Sequence, residues 1–248
     1  MLRSLKQWFL WLTIFSIAMA FLETAVVVYL RKLFYPDGFG FPLVPISQDL
    51  TVVEFWREVA TMIMLLGAGV MAGKTAARRF AGFLFCFAIW DIFYYVFLKV
   101  LLDWPQAWGT WDVLFLVPFP WVGPFETPLL ITCIMIGLSA SMAWYDHRGI
   151  KAGLRWQEWT ALITGSLVVI FSWVLDYFRF IETQFPNEVP WTLSLDRALF
   201  EGAETYVPQT FDWWIFSLGF VVICAAWGIY LYRMRGKAQV QELSPVLR

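Results

Sequence analysis

Asp91, Tyr95 and Lys99 stand at positions i, i+4 and i+8 of the stretch AIWDIFYYVFLKVLL, residues 88–102, in which thirteen of the fifteen residues are apolar or aromatic. On a helix that spacing puts all three on one face. A carboxylate and an ammonium are costly in such surroundings unless they meet a partner or water. Their types point to proton exchange or cation binding. A protonated carboxyl in an apolar site can act as a general acid, with a nearby phenol as hydrogen-bond donor. Asp91 is then the titrating group and Tyr95 the donor.

Other apolar stretches carry compatible groups. Glu23 has Thr24 beside it and Arg31 two turns further on. In EFWREVAT, residues 54–61, Glu54, Glu58 and Thr61 share one helix face and Arg57 lies next to it. Glu126 opens an apolar run directly after a proline-rich segment, and Asp176 closes another. The candidate catalytic residues are therefore Asp91, Glu23, Glu58 and Tyr95. The candidate ligand-binding residues are Arg57, Lys99, Glu126 and Arg31.

The elements that position these groups follow from composition. Hydrophobic residues make up 60 % of the 248 and charged residues 15 %, against about 45–50 % and about 25 % in soluble domains. A membrane-spanning helix needs roughly 20 mostly apolar residues. Six segments qualify, near 8–30, 56–73, 80–102, 124–145, 159–178 and 212–233. The expected fold is an all-α polytopic membrane protein, one helical-bundle domain over 1–248 with loops at 31–55, 103–123 and 179–211 and a tail at 234–248. The bilayer is its first partner, and a nucleic-acid partner is not expected.

Lys and Arg accumulate on the cytoplasmic side of membrane proteins. With both termini cytoplasmic, that side holds 12 of the 18 basic residues and three of the 19 acidic ones, Asp146, Glu158 and Glu242. The near-neutral total of −1 conceals a strongly polarised molecule. A basic start, an apolar run and AMA at 18–20 imitate a signal peptide. The apolar run continues to Leu30, so the segment reads as an uncleaved first helix. Short cytoplasmic loops and six spans fit the inner (plasma) membrane of a bacterium.

Orientation sets depth, at about 1.5 Å per helical residue. Counted from Leu102, Asp91 lies roughly 16 Å down, Tyr95 roughly 10 Å and Lys99 about 4 Å. Glu23 lies about 10 Å below Leu30. Lys99 is near enough to the surface to snorkel; Asp91 and Glu23 are not. The cytoplasmic half of the expected spans carries no ionisable group beyond thiols and tyrosines.

Residues 103–128, DWPQAWGTWDVLFLVPFPWVGPFETP, form the odd segment, with five prolines and an apolar run too short to span. Chain that enters the apolar layer without helix must be buried in protein or line a wet cavity. The segment is either a re-entrant dip or a surface loop whose tryptophans join the interfacial aromatic belt. In 179–211, Leu193, Leu195, Ala198 and Leu199 suggest a short interfacial helix. Gly69 and Gly73 form a small-residue pair suited to close helix packing, within the chain rather than between copies.

Cys86, Cys133 and Cys224 fall within spans and read as small buried hydrophobes. His147 is the single histidine, in a loop. Bis-histidine haem is thereby excluded, and zinc, copper and non-haem iron sites lose their usual ligands. No metal site is expected, and no cofactor is implied. Nucleotide-binding glycine fingerprints and nucleophile elbows are also missing.

Three readings of the polar groups follow. They can pair internally, Glu58 or Glu23 with Arg57 or Arg31. They can line an outward-facing carboxylate pocket for a small ligand, lipid or cation. They can lock this chain to other membrane subunits, making it a cofactor-free accessory subunit of a larger bioenergetic or secretion complex. A transporter needs a polar path through both halves and matched broken helices. Acid–base chemistry on a lipid-soluble substrate needs access from one side only.

Overall fold

Six long helices and one short hairpin follow one another along the chain: α1 Leu5–Phe34, α2 Gln48–Ala72, α3 Ala76–Leu102, β1 Trp111–Phe115, β2 Trp121–Pro124, α4 Glu126–His147, α5 Trp156–Gln184 and α6 Trp213–Leu243. The structure is a computed structural model and describes residues 4–44, 47–115, 120–184 and 205–243. All six helices are long and apolar enough to cross a membrane, and the chain is a multi-pass, mostly helical membrane protein. The expected interfacial helix near 193–199 lies outside the described residues.

Capping, not hydropathy, decides where several helices begin. The side chains of Ser4, Ser47 and Thr75 accept the backbone N–H groups of Gln7, Leu50 and Arg78 at 3.2, 3.4 and 3.0 Å. Each such cap satisfies one of the free donors of a first turn. The helices therefore overrun their apolar runs. The largest correction is at 234–243, expected as a tail but forming the last turns of α6, where Met234 is fully buried.

Successive helices run antiparallel. One end of the bundle carries the hairpin and the α1–α2 connection; the other carries the helix starts at Leu5, Ala76 and Trp156. α3 is central and packs against α1, α2 and α4, while α5 pairs most extensively with α6, and α4 bridges to α6. A core of Trp8, Phe85, Cys86, Met142, Tyr230 and Met234 joins α1, α3, α4 and α6 near the end opposite the hairpin. Exposed Leu22, Met71, Val100, Leu167 and Tyr232 face outward, as lipid contact requires.

Glycine sets two of the closest helix approaches. A Cβ on Gly69 of α2 would lie 2.8 Å from the backbone nitrogen of Phe83 in α3. A Cβ on Gly219 of α6 would lie 2.7 Å from the carbonyl oxygen of Gly165 in α5. The Gly69 pairing is thus internal packing.

Within the segment 103–128, Trp111–Phe115 and Trp121–Pro124 form an antiparallel hairpin that pairs Trp111 with Pro124 and Val113 with Val122, and Glu126 already begins α4. The segment's tryptophans divide. Trp108 is exposed as a belt residue would be, whereas Trp104 is buried. Gly123 lets β2 approach α5, since a Cβ there would meet Trp173 at 2.9 Å. Asp176 of α5 ties down the returning chain by accepting from the Tyr206 hydroxyl (2.9 Å) and the Gln209 and Thr210 backbone N–H groups (3.1 and 3.0 Å).

Charges also occur within helices at the far end, where few were expected. Arg233 of α6 and Glu158 of α5 form a bidentate pair at 2.7 Å, almost fully buried. Because α5 starts at Trp156 and α6 runs past Arg233, both residues belong to helix rather than loop.

The close contacts make a test. Gly219→Ala should destabilise the fold by about 1–3 kcal/mol through overpacking. Gly228→Ala in the same helix, where a Cβ meets nothing within 4 Å, should leave thermal unfolding unchanged or raise its midpoint. Equal midpoints for the two variants would refute the close α5–α6 contact.

Candidate functional site

A cavity of about 260 Å³ opens near the hairpin end between α1, α2, α3 and the hairpin, with Tyr177 of α5 at its edge. Five carboxylates line it: Glu23, Glu54, Glu58, Asp91 and Asp112. Arg31 and Arg57 are the only guanidinium groups among the lining residues, and most of the rest is aromatic or aliphatic.

α1 contributes Glu23 and Arg31, two turns apart on one face. α2 contributes Glu54, Glu58 and Thr61, all buried, with Arg57 beside them. Arg57 bridges two acids, donating from Nη1 to Glu23 Oε1 and from Nε to Glu54 Oε2, the latter at 2.7 Å. Thr61 adds a hydroxyl to Glu23 Oε2 at 3.3 Å. Glu23 is thus the anchor through which α2 is tied to α1 at this end.

The hairpin supplies Asp112, which the sequence reading did not single out. Arg31 Nη2 donates to Asp112 Oδ1 and the Tyr95 hydroxyl to Oδ2, each at 3.1 Å. The Arg31 and Asp112 side chains are 7 % and 2 % exposed. The guanidinium lies over the rings of Trp104 and Phe39, 3.9 and 4.1 Å from their centroids. Aromatic faces attract a cation where water is excluded. Burial pushes the Asp112 carboxyl above its ordinary value, against the pull of the Arg31 guanidinium and the Tyr95 hydroxyl.

Asp91 lies one helical turn below Tyr95, the deepest carboxylate of the α3 stripe. Its Oδ2 is buried and has no hydrogen-bond partner among the described residues. The same holds for Trp90 Nε1 and Arg31 Nη1. A row of polar groups therefore leads from Asp91 past Tyr95 to Asp112 and Arg31, all lining one space.

Six of the eight residues expected from sequence line this cavity: Asp91, Glu23, Glu58, Tyr95, Arg57 and Arg31. Lys99 and Glu126 lie outside its lining. Lys99 is half-exposed, paired with Asp103 at 2.7 Å and donating to the Pro105 carbonyl at 3.1 Å. Glu126 starts α4, where its Oε1 accepts the Gly109 N–H at 2.9 Å. One signal could have found Asp112. It is the single acid inside an apolar run bounded by prolines, and a buried acid demands a cation.

No family model matches the chain, and no solved structure matches it. Over an alignment 152 positions long, which covers 56 % of this chain, it is 25 % identical to cytochrome c oxidase subunit 3 of Pongo abelii. It spans 53 % of that protein, so the likeness covers about half of the curated relative's length.

The Arg31–Asp112 contact carries a sharp expectation. Removing one partner of a buried pair strands the other, at a cost of about 3–5 kcal/mol. Asp112→Ala should lower the thermal midpoint strongly, whereas Lys99→Met should change stability by less than about 0.5 kcal/mol, as is usual for surface positions. Similar small losses for both variants would show that the buried pair does not hold the hairpin.

Proposed function

We propose that this membrane protein binds a small ligand in the carboxylate-lined cavity and exchanges protons or a cation with it at Asp91. The observation that carries this reading is the imbalance around one space. Five carboxylates face two guanidinium groups, and the deepest acid has an oxygen with no partner among the described residues. A buried carboxylate without a counter-charge is costly, so it either holds a proton or waits for a cation.

Asp91 takes the part of the titrating group. Tyr95 and Asp112, bonded to each other, extend the row of polar groups toward the hairpin, while Glu23, Arg57 and Arg31 hold the walls. The Lys and Arg asymmetry supports placing both termini in the cytoplasm, so that the cavity faces the opposite side. On that reading a lipid-soluble or externally supplied ligand reaches Asp91 without crossing the other half of the bundle.

A second reading draws on the likeness to an oxidase subunit. The chain then serves as a subunit of a larger membrane assembly, with its polar cluster stabilising the fold. Purification in mild detergent separates the two. A single species of this chain alone supports the ligand-binding reading, and consistent co-purification with defined partner subunits supports the other.

A hydrophobic carbodiimide, which attacks protonated carboxyls in apolar surroundings, tests Asp91 directly. Peptide mapping should find the N-acylurea adduct on Asp91 in the purified chain and no adduct at that position in an Asp91→Asn variant of unchanged thermal stability. If Asp91 resists labelling while detergent-exposed carboxyls react, or if Asp91→Asn does no more than lower stability, the acid is a structural partner and the pocket reading fails.

A further inference from the structure

We infer that the ligand is a small lipophilic ammonium ion that also carries a hydrogen-bond acceptor; this rests on the pocket reading above and names the ligand class for the same site. Three buried atoms set its pattern. Asp91 Oδ2 is an acceptor without a donor, and Trp90 Nε1 and Arg31 Nη1 are donors without an acceptor, among the described residues. Trp90 and Arg31 are only 8 % and 6 % exposed, and all three residues line the cavity. Buried donors and acceptors of this kind cost free energy until something pairs with them. A ligand that satisfies them must both donate and accept.

Charge decides which end is ionised. Arg31 already faces Asp112, and Arg57 already faces both Glu23 and Glu54. Among the described residues no cation is paired with Asp91. An anionic ligand would add to an existing excess of carboxylates, whereas an ammonium relieves it. The walls agree, because Trp90, Tyr94, Tyr95, Phe55 and Phe115 supply aromatic faces suited to a cation with an apolar body. A bare metal ion fits less well. Among the described residues no three His, Cys, Asp or Glu side chains converge closely enough to hold one. A cavity of about 260 Å³ has room for an amine with a single ring.

In this arrangement the ammonium donates to Asp91 Oδ2 and the ligand's acceptor receives Trp90 Nε1, with Arg31 Nη1 available nearer the hairpin. Asp91 and Trp90 both belong to α3 and both line the cavity. Tyr95 and Asp112 remain bonded to one another above them.

Isothermal titration calorimetry of the purified full-length chain, with detergent-only blanks, tests this. Three probes of similar size are compared: phenylethanolamine, phenethylamine, which lacks the hydroxyl, and phenylethylene glycol, which lacks the charge. Phenylethanolamine should bind at least about tenfold more tightly than the glycol, the usual weight of a hydrogen bond to a charged group, and about two- to tenfold more tightly than phenethylamine. Asp91→Asn should erase the preference for amine over glycol. Trp90→Phe, which keeps a ring and removes the donor, should erase the preference for phenylethanolamine over phenethylamine, and it serves alone if Asp91→Asn does not assemble. Equal affinity for amine and glycol, or an amine preference that survives Asp91→Asn, overturns the inference. Failure of all three probes where the carbodiimide labels Asp91 overturns it too and leaves the pocket reading intact. Failure of the labelling itself removes both.

Discussion

A guanidinium inside an apolar layer must be matched by a carboxylate, and the contact of Arg31 with Asp112 meets that demand across two elements that the chain separates by 81 positions. Because Asp112 belongs to the hairpin, the ion pair does more than neutralise charge: it fastens β1 over the open end of the helices. Tyr95 makes the second bond to the same carboxylate, and Trp104 and Phe39 cover the guanidinium faces. With the hairpin so placed, Leu114, Phe115 and Pro120 become cavity walls. Without it the α3 stripe would open at that end.

The remaining charges arrange themselves around that closure by a simple rule. Glu23 and Glu54 share one cation, Arg57, so two acids of neighbouring helices are neutralised together only in part. At the opposite end Glu158 and Arg233 pair one to one, with Arg155 adding its backbone N–H to the same carboxylate. The two ends thus treat carboxylates differently. One saturates its acid with donors, and the other leaves Asp91 short of them. This contrast sets the cavity apart from ordinary structural ion pairing.

The spans were legible from hydropathy because apolar surface must meet lipid over a fixed thickness. Helix ends were less so, since Ser4, Ser47 and Thr75 set them by local hydrogen bonds that a hydropathy run does not register. The stripe of Asp91 and Tyr95, and the face of Glu54, Glu58 and Thr61, could be read from helical period alone. Lys99 shares that stripe yet lies at the surface with Asp103, as its short count from Leu102 implied, since helical period gives the face and distance from the helix end gives the depth. Asp112 escaped notice for a different reason. Its partner is remote in sequence, and a short strand between prolines offers no periodic pattern to mark which side is buried. Trp104 and Trp108 make the same point: one covers Arg31 and the other is exposed, though composition treats them alike.

α2 meets its neighbours by two unlike joints. At Gly69 it touches α3 by shape alone, close against the backbone of Phe83 and Arg79. About 18 Å away along the helix, Arg57 and Thr61 grip Glu23 through charge, and the Arg57 side chain is 21 % exposed. Mechanically the helix is a lever with a steric fulcrum and an ionic latch. Dissolved salt screens a partly exposed ion pair and does not act on a steric contact, so the two joints differ in their sensitivity to ionic strength.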